Sequence, residues 1–300
     1  MANAVLAWRN WCAEVGTISA TSSAYAPDAP LTNLLTPRTS ELAIQVAGVP
    51  PLYGFNVQFD GYGDSPPVTR PVQIVALLNH NIVEIIDNDD FYFTVYSTIG
   101  TVDINAGNMI FTTAADFQSH VFLILPTELQ VDRVDVRFNS NVVFGQKDPY
   151  TGEVTVENFQ AGGIWAGPIW RPTNGIKFGA FGQGITENLR GAVSIGGQFY
   201  PNPQPRQRTS GFDFTLLSEP EVYSVDPDQP SLQQMGSWCA RSRPLIVIPA
   251  DDQDELVYAQ GLYGYLTADP QWQQVEAART DDVPERVRVY SAGIQMREAL

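Results

Sequence analysis

Apolar and polar residues alternate with a period of two through long stretches of the chain. Over 131–138, Val134, Val136 and Phe138 fall on one side of an extended backbone and Arg133, Asp135 and Arg137 on the other. That is the pattern of an antiparallel strand with one face in water. Residues 120–125 are instead almost continuously apolar, as a central strand covered on both faces would be. The same reading predicts strands over 17–24, 42–46, 53–59, 72–78, 91–97, 154–159 and 164–169. The 24 glycines and 22 prolines separate these segments and leave little room for long helices. The expected fold is therefore mainly β: a jelly-roll β-sandwich, then a second β-rich domain with one or two short helices.

The texture changes at 171–191, which is rich in Gly and turn residues, and the domain boundary is placed there: 1–170 with an N-terminal arm, and 171–300. Beyond it, strands are predicted over 193–200, 208–217, 245–248, 256–266 and 286–297. Between the first two, Pro201-Asn-Pro-Gln-Pro205 reads as an exposed turn that cannot join a ladder. Ser218-Glu-Pro-Glu221 reads as a helix start, with Ser as cap, Pro in the first turn and carboxylates facing the positive end of the dipole. A second short helix is expected over 231–240.

Several short motifs resemble a known family. Ile18-Ser-Ala-Thr-Ser-Ser23, Pro30-Leu-Thr-Asn-Leu-Leu35 with Pro37-Arg38, and Pro71-Val-Gln-Ile-Val-Ala-Leu-Leu-Asn-His-Asn81 resemble the opening of discoidin-like, galactose-binding-like jelly rolls. Ile164-Trp-Ala-Gly-Pro-Ile-Trp170, then Gly196-Gly-Gln-Phe-Tyr200, Pro205-Arg206 and Leu217-Ser-Glu-Pro-Glu221, look like the later segments of tailed-bacteriophage tail and baseplate proteins that begin with such a sandwich. The resemblance implies a structural part of a tail tip or baseplate, assembled in the host cytoplasm and located in the virion. Its partners would be other tail or baseplate proteins, within a symmetric assembly in which the chain is itself a homo-oligomer. The alternative is a glycan-binding module that recognises the bacterial cell surface.

Charge narrows the function classes. Seventeen Lys and Arg against 33 Asp and Glu leave a net charge of −16, which repels a phosphate backbone and argues against nucleic-acid binding. No run approaches the ~20 apolar residues of a membrane helix, so no membrane insertion is expected. The first nine residues do not read as a secretory signal. Cys12 and Cys239 lack the spacing of a metal or redox motif and read as buried thiols.

Candidate chemistry is sparse. Gly63-Asp-Ser65 is similar to an esterase nucleophile block, but the only histidines, His80 and His120, do not supply the partner that such a serine needs. A turn is the alternative. Asp87-Asn-Asp-Asp90 and Asp251-Asp-Gln-Asp-Glu255 concentrate oxygen atoms of the kind Ca²⁺ takes, with a hairpin turn as the competing reading in each case. His80, between Asn79 and Asn81 at a strand end, is a candidate contact for a sugar hydroxyl, against the alternative of a histidine that satisfies a loop carbonyl. Trp8 and Trp11 sit in an arm too short for its own core, so they are candidate interface residues, either on this chain's own domain or on a neighbour. The expectation is a protein with no catalytic site, no cofactor and no metal.

Overall fold

Strands carry most of the regular structure, and the ladders of the longest ones are antiparallel. The computed structural model describes residues 4–21, 24–46, 52–60, 68–112, 119–148, 151–174, 182–186, 189–193, 199–203, 207–224, 230–240, 242–249, 261–276 and 288–299. Two compact units emerge: Ala7–Ile169, and Met1–Leu6 with Trp170–Leu300.

In the first unit an eight-stranded sheet is organised around the long strand His120–Asn139. One stretch of it pairs with Arg70–Leu78, and its C-terminal half lies between Leu52–Phe59 and Phe91–Ser97. Two separate strands were expected here, over 120–125 and 131–138. A register shift between Ile124 and Leu129 lets the exposed Pro126, Thr127 and Glu128 stand out of the ladder without ending it, which is how a β-bulge accommodates a proline. Smaller sheets, Val154–Val156 with Val142–Lys147 and Ile82–Ile85, and Gln160–Ala161 with Ala43–Val46 and Ala24–Tyr25, add buried side chains to the same core. The result is sandwich-like. Phe55, Phe138, Phe144 and Phe159 meet at ring separations of 4.7 to 6.5 Å, in the tilted and edge-on geometries aromatic quadrupoles favour.

The second unit's sheet runs in the order Ile169–Trp170, Val5–Ala7, Leu245–Ile248, Leu262–Leu266, Arg288–Glu298, Gln207–Ser218, Gly182–Thr186, with Gln271–Glu276 also on Arg288–Glu298. Assigning the whole N-terminal arm to 1–170 is thereby corrected. Val5, Leu6 and Ala7 are fully buried, and a run that apolar gains more as an inner strand than as an arm in water. Gly182–Thr186 likewise puts a strand inside the segment expected to be a boundary.

Both predicted helices form. Glu219–Val222 is held by Glu221, whose Oε2 accepts from the Ser218 N–H at 2.6 Å and from the Ser218 hydroxyl at 2.7 Å. Burial is the largest single influence on the Glu221 carboxyl and raises its pKa, but the hydrogen bonds from Ser218 and Thr173 together outweigh it and leave the pKa lowered. Leu232–Cys239 begins at Ser231, whose Oγ accepts from the Gln234 N–H at 3.3 Å, and ends at Ala240 in the left-handed region. Pro201-Asn-Pro203 is a further correction, because Phe199–Pro203 pairs with Leu189–Val193. In an antiparallel pair only alternate residues donate towards a given neighbour, and two prolines two apart share one phase.

Candidate functional site

Cross-strand register assembles a polar and aromatic surface on the outer face of the first unit's sheet. Arg133 stands opposite Gln58 on one side and Tyr96 on the other, Asp135 opposite Asn56 and Thr94, and Arg137 opposite Gly54 and Tyr92. The rows continue to Thr17 and Ser19 on Gly16–Ala20, and to Thr101, Asp103 and Asn105 on Gly100–Asn105. Paired residues share a face. The opposite face of the same strands carries Phe55, Val57, Phe93, Val95, Val134 and Val136, all in the core. Burial of that apolar set fixes the register, and the register sets the polar residues side by side.

Asp135 lies at the centre, with its side chain only 6% exposed. Its Oδ2 accepts from Arg137 Nη2 at 2.7 Å and from the Tyr96 hydroxyl at 3.1 Å, and its Oδ1 is 2.9 Å from Arg133 Nε. Arg137 Nη2 also donates to the Tyr96 hydroxyl at 2.8 Å. The hydrogen bond to Asp135 pushes the Arg137 guanidinium further above its ordinary pKa. The Arg133 guanidinium carbon sits 3.6 Å from the Tyr96 ring centroid, so it stacks on the ring face. Around this centre the Thr94 hydroxyl donates to Asp103 at 2.6 Å and the Ser19 hydroxyl to Asn56 at 2.9 Å. A surface of planar amides, hydroxyls, ring edges and held guanidinium groups suits a ligand with many hydroxyls, each able to donate and accept.

The residues singled out from sequence go elsewhere. His80 is 5% exposed, so it is not the surface sugar contact considered for it. Its Nδ1 accepts from the Ile82 N–H at 3.1 Å, its ring meets Phe111 edge-on at 6.4 Å, and burial lowers its pKa to about 4. The flanking asparagines tie the turn down: Asn79 donates to the Thr39 carbonyl at 2.7 Å, while Asn81 donates to the Asn158 carbonyl and accepts from the Gln160 N–H, both at 2.8 Å. His120 is also buried, and its Nδ1 accepts from the Asn79 N–H.

Trp11 is 5% exposed and belongs to the first unit's core, and Trp8 is half-buried. Of the two alternatives for Trp11, its burial favours docking on its own domain over docking on a neighbour. Its position comes from the helix Trp11–Val15, which Asn10 caps by accepting from the Cys12 N–H at 3.1 Å while donating to the Ile164 carbonyl at 3.0 Å. Both cysteines are buried and unbridged, and burial raises both thiol pKa values, that of Cys239 to about 12.

Asp87–Asp90 forms a short 3₁₀ turn, not an open cage. Asp90 accepts from the Asp87 N–H and from the side chains of Asn139 and Asn141, and Asp89 accepts from Asn105. Gly63-Asp-Ser65 and Asp251–Glu255 lie outside the described residues. Among the described residues no group of three or more His, Cys, Asp or Glu side chains could hold a metal ion.

The second unit contains a buried ion pair. Arg208 Nη2 is 2.6 Å and its Nε 3.0 Å from Glu298 Oε1, and Glu298 Oε2 accepts from the Arg208 N–H at 3.1 Å. The pair locks Gln207–Ser218 to Arg288–Glu298 inside the protein.

The alternation that creates the polar face is visible along the chain, but the face itself is not. Tyr92, Thr94 and Tyr96 alternate with Phe91, Phe93 and Val95 as plainly as Arg133, Asp135 and Arg137 do with their neighbours. That the two rows lie side by side depends on a pairing of residues about forty apart. No protein-family model matches the chain, and no curated protein matches it either.

Proposed function

We propose that the chain is a structural component of a bacteriophage tail, at the tail tip or baseplate, and that it acts through protein–protein contacts in the virion, not through catalysis. The observation that carries this reading is Leu216. It sits at φ 60 within the irregularity that interrupts pairing between Phe214 and Leu217, and it is 57% exposed. A left-handed conformation costs an L-residue about 1–2 kcal/mol, and an exposed leucine recovers none of it from water. A subunit seated over the side chain would supply what the isolated chain lacks. The motif resemblance supports the same reading. The Asn-Leu-Leu motif is a 3₁₀ turn in which Asn33 donates to the Leu42 carbonyl at 2.9 Å, and Leu217-Ser-Glu-Pro-Glu221 leads into a capped helix. In this reading the Ala7–Ile169 unit is a discoidin-like jelly roll. The test is electron microscopy of intact particles carrying a tagged copy of the chain. Density or label at the tail tip or baseplate is the expected result, and absence of the chain from purified particles rejects the proposal.

A second reading, a glycan-binding module for the bacterial surface, is favoured by the face around Asp135. The two are compatible in one tail protein.

A further inference from the structure

We infer that the face around Asp135 is a binding site for an acidic, carboxylate-bearing saccharide, with Arg133 as the residue that reads the carboxylate. The inference rests on the glycan-binding reading and goes beyond it in naming the ligand class and the discriminating residue.

An arginine on the wet face of a sheet ordinarily spends its rotamer freedom in solvent. Arg133 does not. Its guanidinium lies on the Tyr96 ring at 3.6 Å, its Nε is 2.9 Å from Asp135, and Asp135 is itself held by Arg137 and Tyr96. Among the described residues its polar contacts end at Asp135, so its two Nη groups have no protein partner there, and the side chain is 36% exposed. A guanidinium fixed in this way presents its terminal edge as two parallel N–H donors, which match the two oxygens of a carboxylate. The ordering that binding would otherwise require is already complete in the free protein.

The surroundings select the rest of the ligand. Gln58 lies directly across from Arg133, Asn56 across from Asp135, and Thr101 across from Tyr96. These side chains pair with hydroxyls. A peptide would be held by an apolar pocket or a free strand edge, whereas Arg133, Asp135, Asn56, Gln58 and Tyr96 lie on the flat of strands that are paired on both sides. The charge of the whole chain works against long-range capture of an anion, since the net charge is −16. Affinity must therefore come from short-range contacts such as the Arg133 fork, and removing that fork should abolish preference for the acid.

The test uses the full chain and an array of uronate- and sialate-bearing oligosaccharides, each beside its carboxyl-reduced neutral counterpart. The expected result is binding to acidic members that falls at least tenfold on carboxyl reduction. Arg133→Gln should remove that preference, and Arg133→Lys should fail to restore it, because an ammonium keeps the charge but not the fork. Asp135 keeps Arg137 and Tyr96 in both variants, so both should remain folded at the assay temperature, which their melting curves check. Equal binding of acid and reduced forms, or a preference unchanged in Arg133→Gln, overturns the inference and leaves the glycan reading standing. Binding to no member of the array rejects both.

Discussion

The indole N–H of Trp11 donates to the carbonyl oxygen of Pro71 at 2.8 Å. Arg9 covers its ring at 4.0 Å and Arg70 approaches at 5.2 Å, so the indole is enclosed by its own unit. Trp11→Ala should therefore lower the unfolding free energy by about 3–5 kcal/mol, as truncation of a buried aromatic does. Denaturant titration measures this, and a loss below about 1 kcal/mol would mean that the indole is not a core side chain.

The Arg208–Glu298 pair makes a different prediction for the second unit. Breaking it from one side leaves a buried charge, so Glu298→Gln should destabilise the unit by about 3–5 kcal/mol. Replacing both residues, as Arg208→Met with Glu298→Leu, should recover much of that loss, because neither change then strands a charge. A double variant as unstable as the single one would contradict this account.

His80 gives stability a pH dependence. Its folded pKa, about 4, lies below the ordinary 6.5 because burial disfavours the imidazolium. The unfolded chain thus binds the proton more readily, and stability falls as pH drops from about 6.5 towards 4, levelling off below that. The contribution lost between pH 7 and pH 5 is about 2 kcal/mol. Urea titrations at the two pH values should show a smaller difference in His80→Gln than in the parent, and equal differences would assign the dependence elsewhere.

Leu216 separates fold from assembly. Leu216→Gly removes the left-handed penalty and should stabilise the isolated chain, or leave it unchanged, against the roughly 0.4–1 kcal/mol a glycine costs through the unfolded state. In particles the same variant should be incorporated less than the parent. Normal incorporation would remove Leu216 from the interface.

Local pattern determined a good deal about this protein. Period-two alternation over 131–138 marked which side chains face inward, and Ser218-Glu-Pro-Glu221 marked a helix start, because burial and capping act within a few residues. Phe91–Ser97 and Leu245–Ile248 form strands over the predicted bounds. The helix at Trp11–Val15 carries only the Asn10 cap as a local cue and is too short to show a periodic face, and its place is set by Asn10 reaching Ile164, a contact 154 residues away. Proline rules marked 201–205 as unable to pair, yet over 201–203 the phase of the ladder decided otherwise, while 204 and 205 lie outside the described residues. The polar face was unreadable for the same kind of reason. Arg133, Asp135 and Tyr96 are ordinary surface residues in sequence, and only the register imposed by burying Val134, Val136, Phe93 and Val95 lays a guanidinium on a tyrosine ring beside a shielded carboxylate. His80 shows the converse. A histidine between two asparagines looks like a surface contact until the turn is seen folded inward, where desolvation keeps the ring neutral and hydrogen bonding puts it to structural use. Neighbours along the chain decide which way a residue faces, and neighbours across strands decide what it faces.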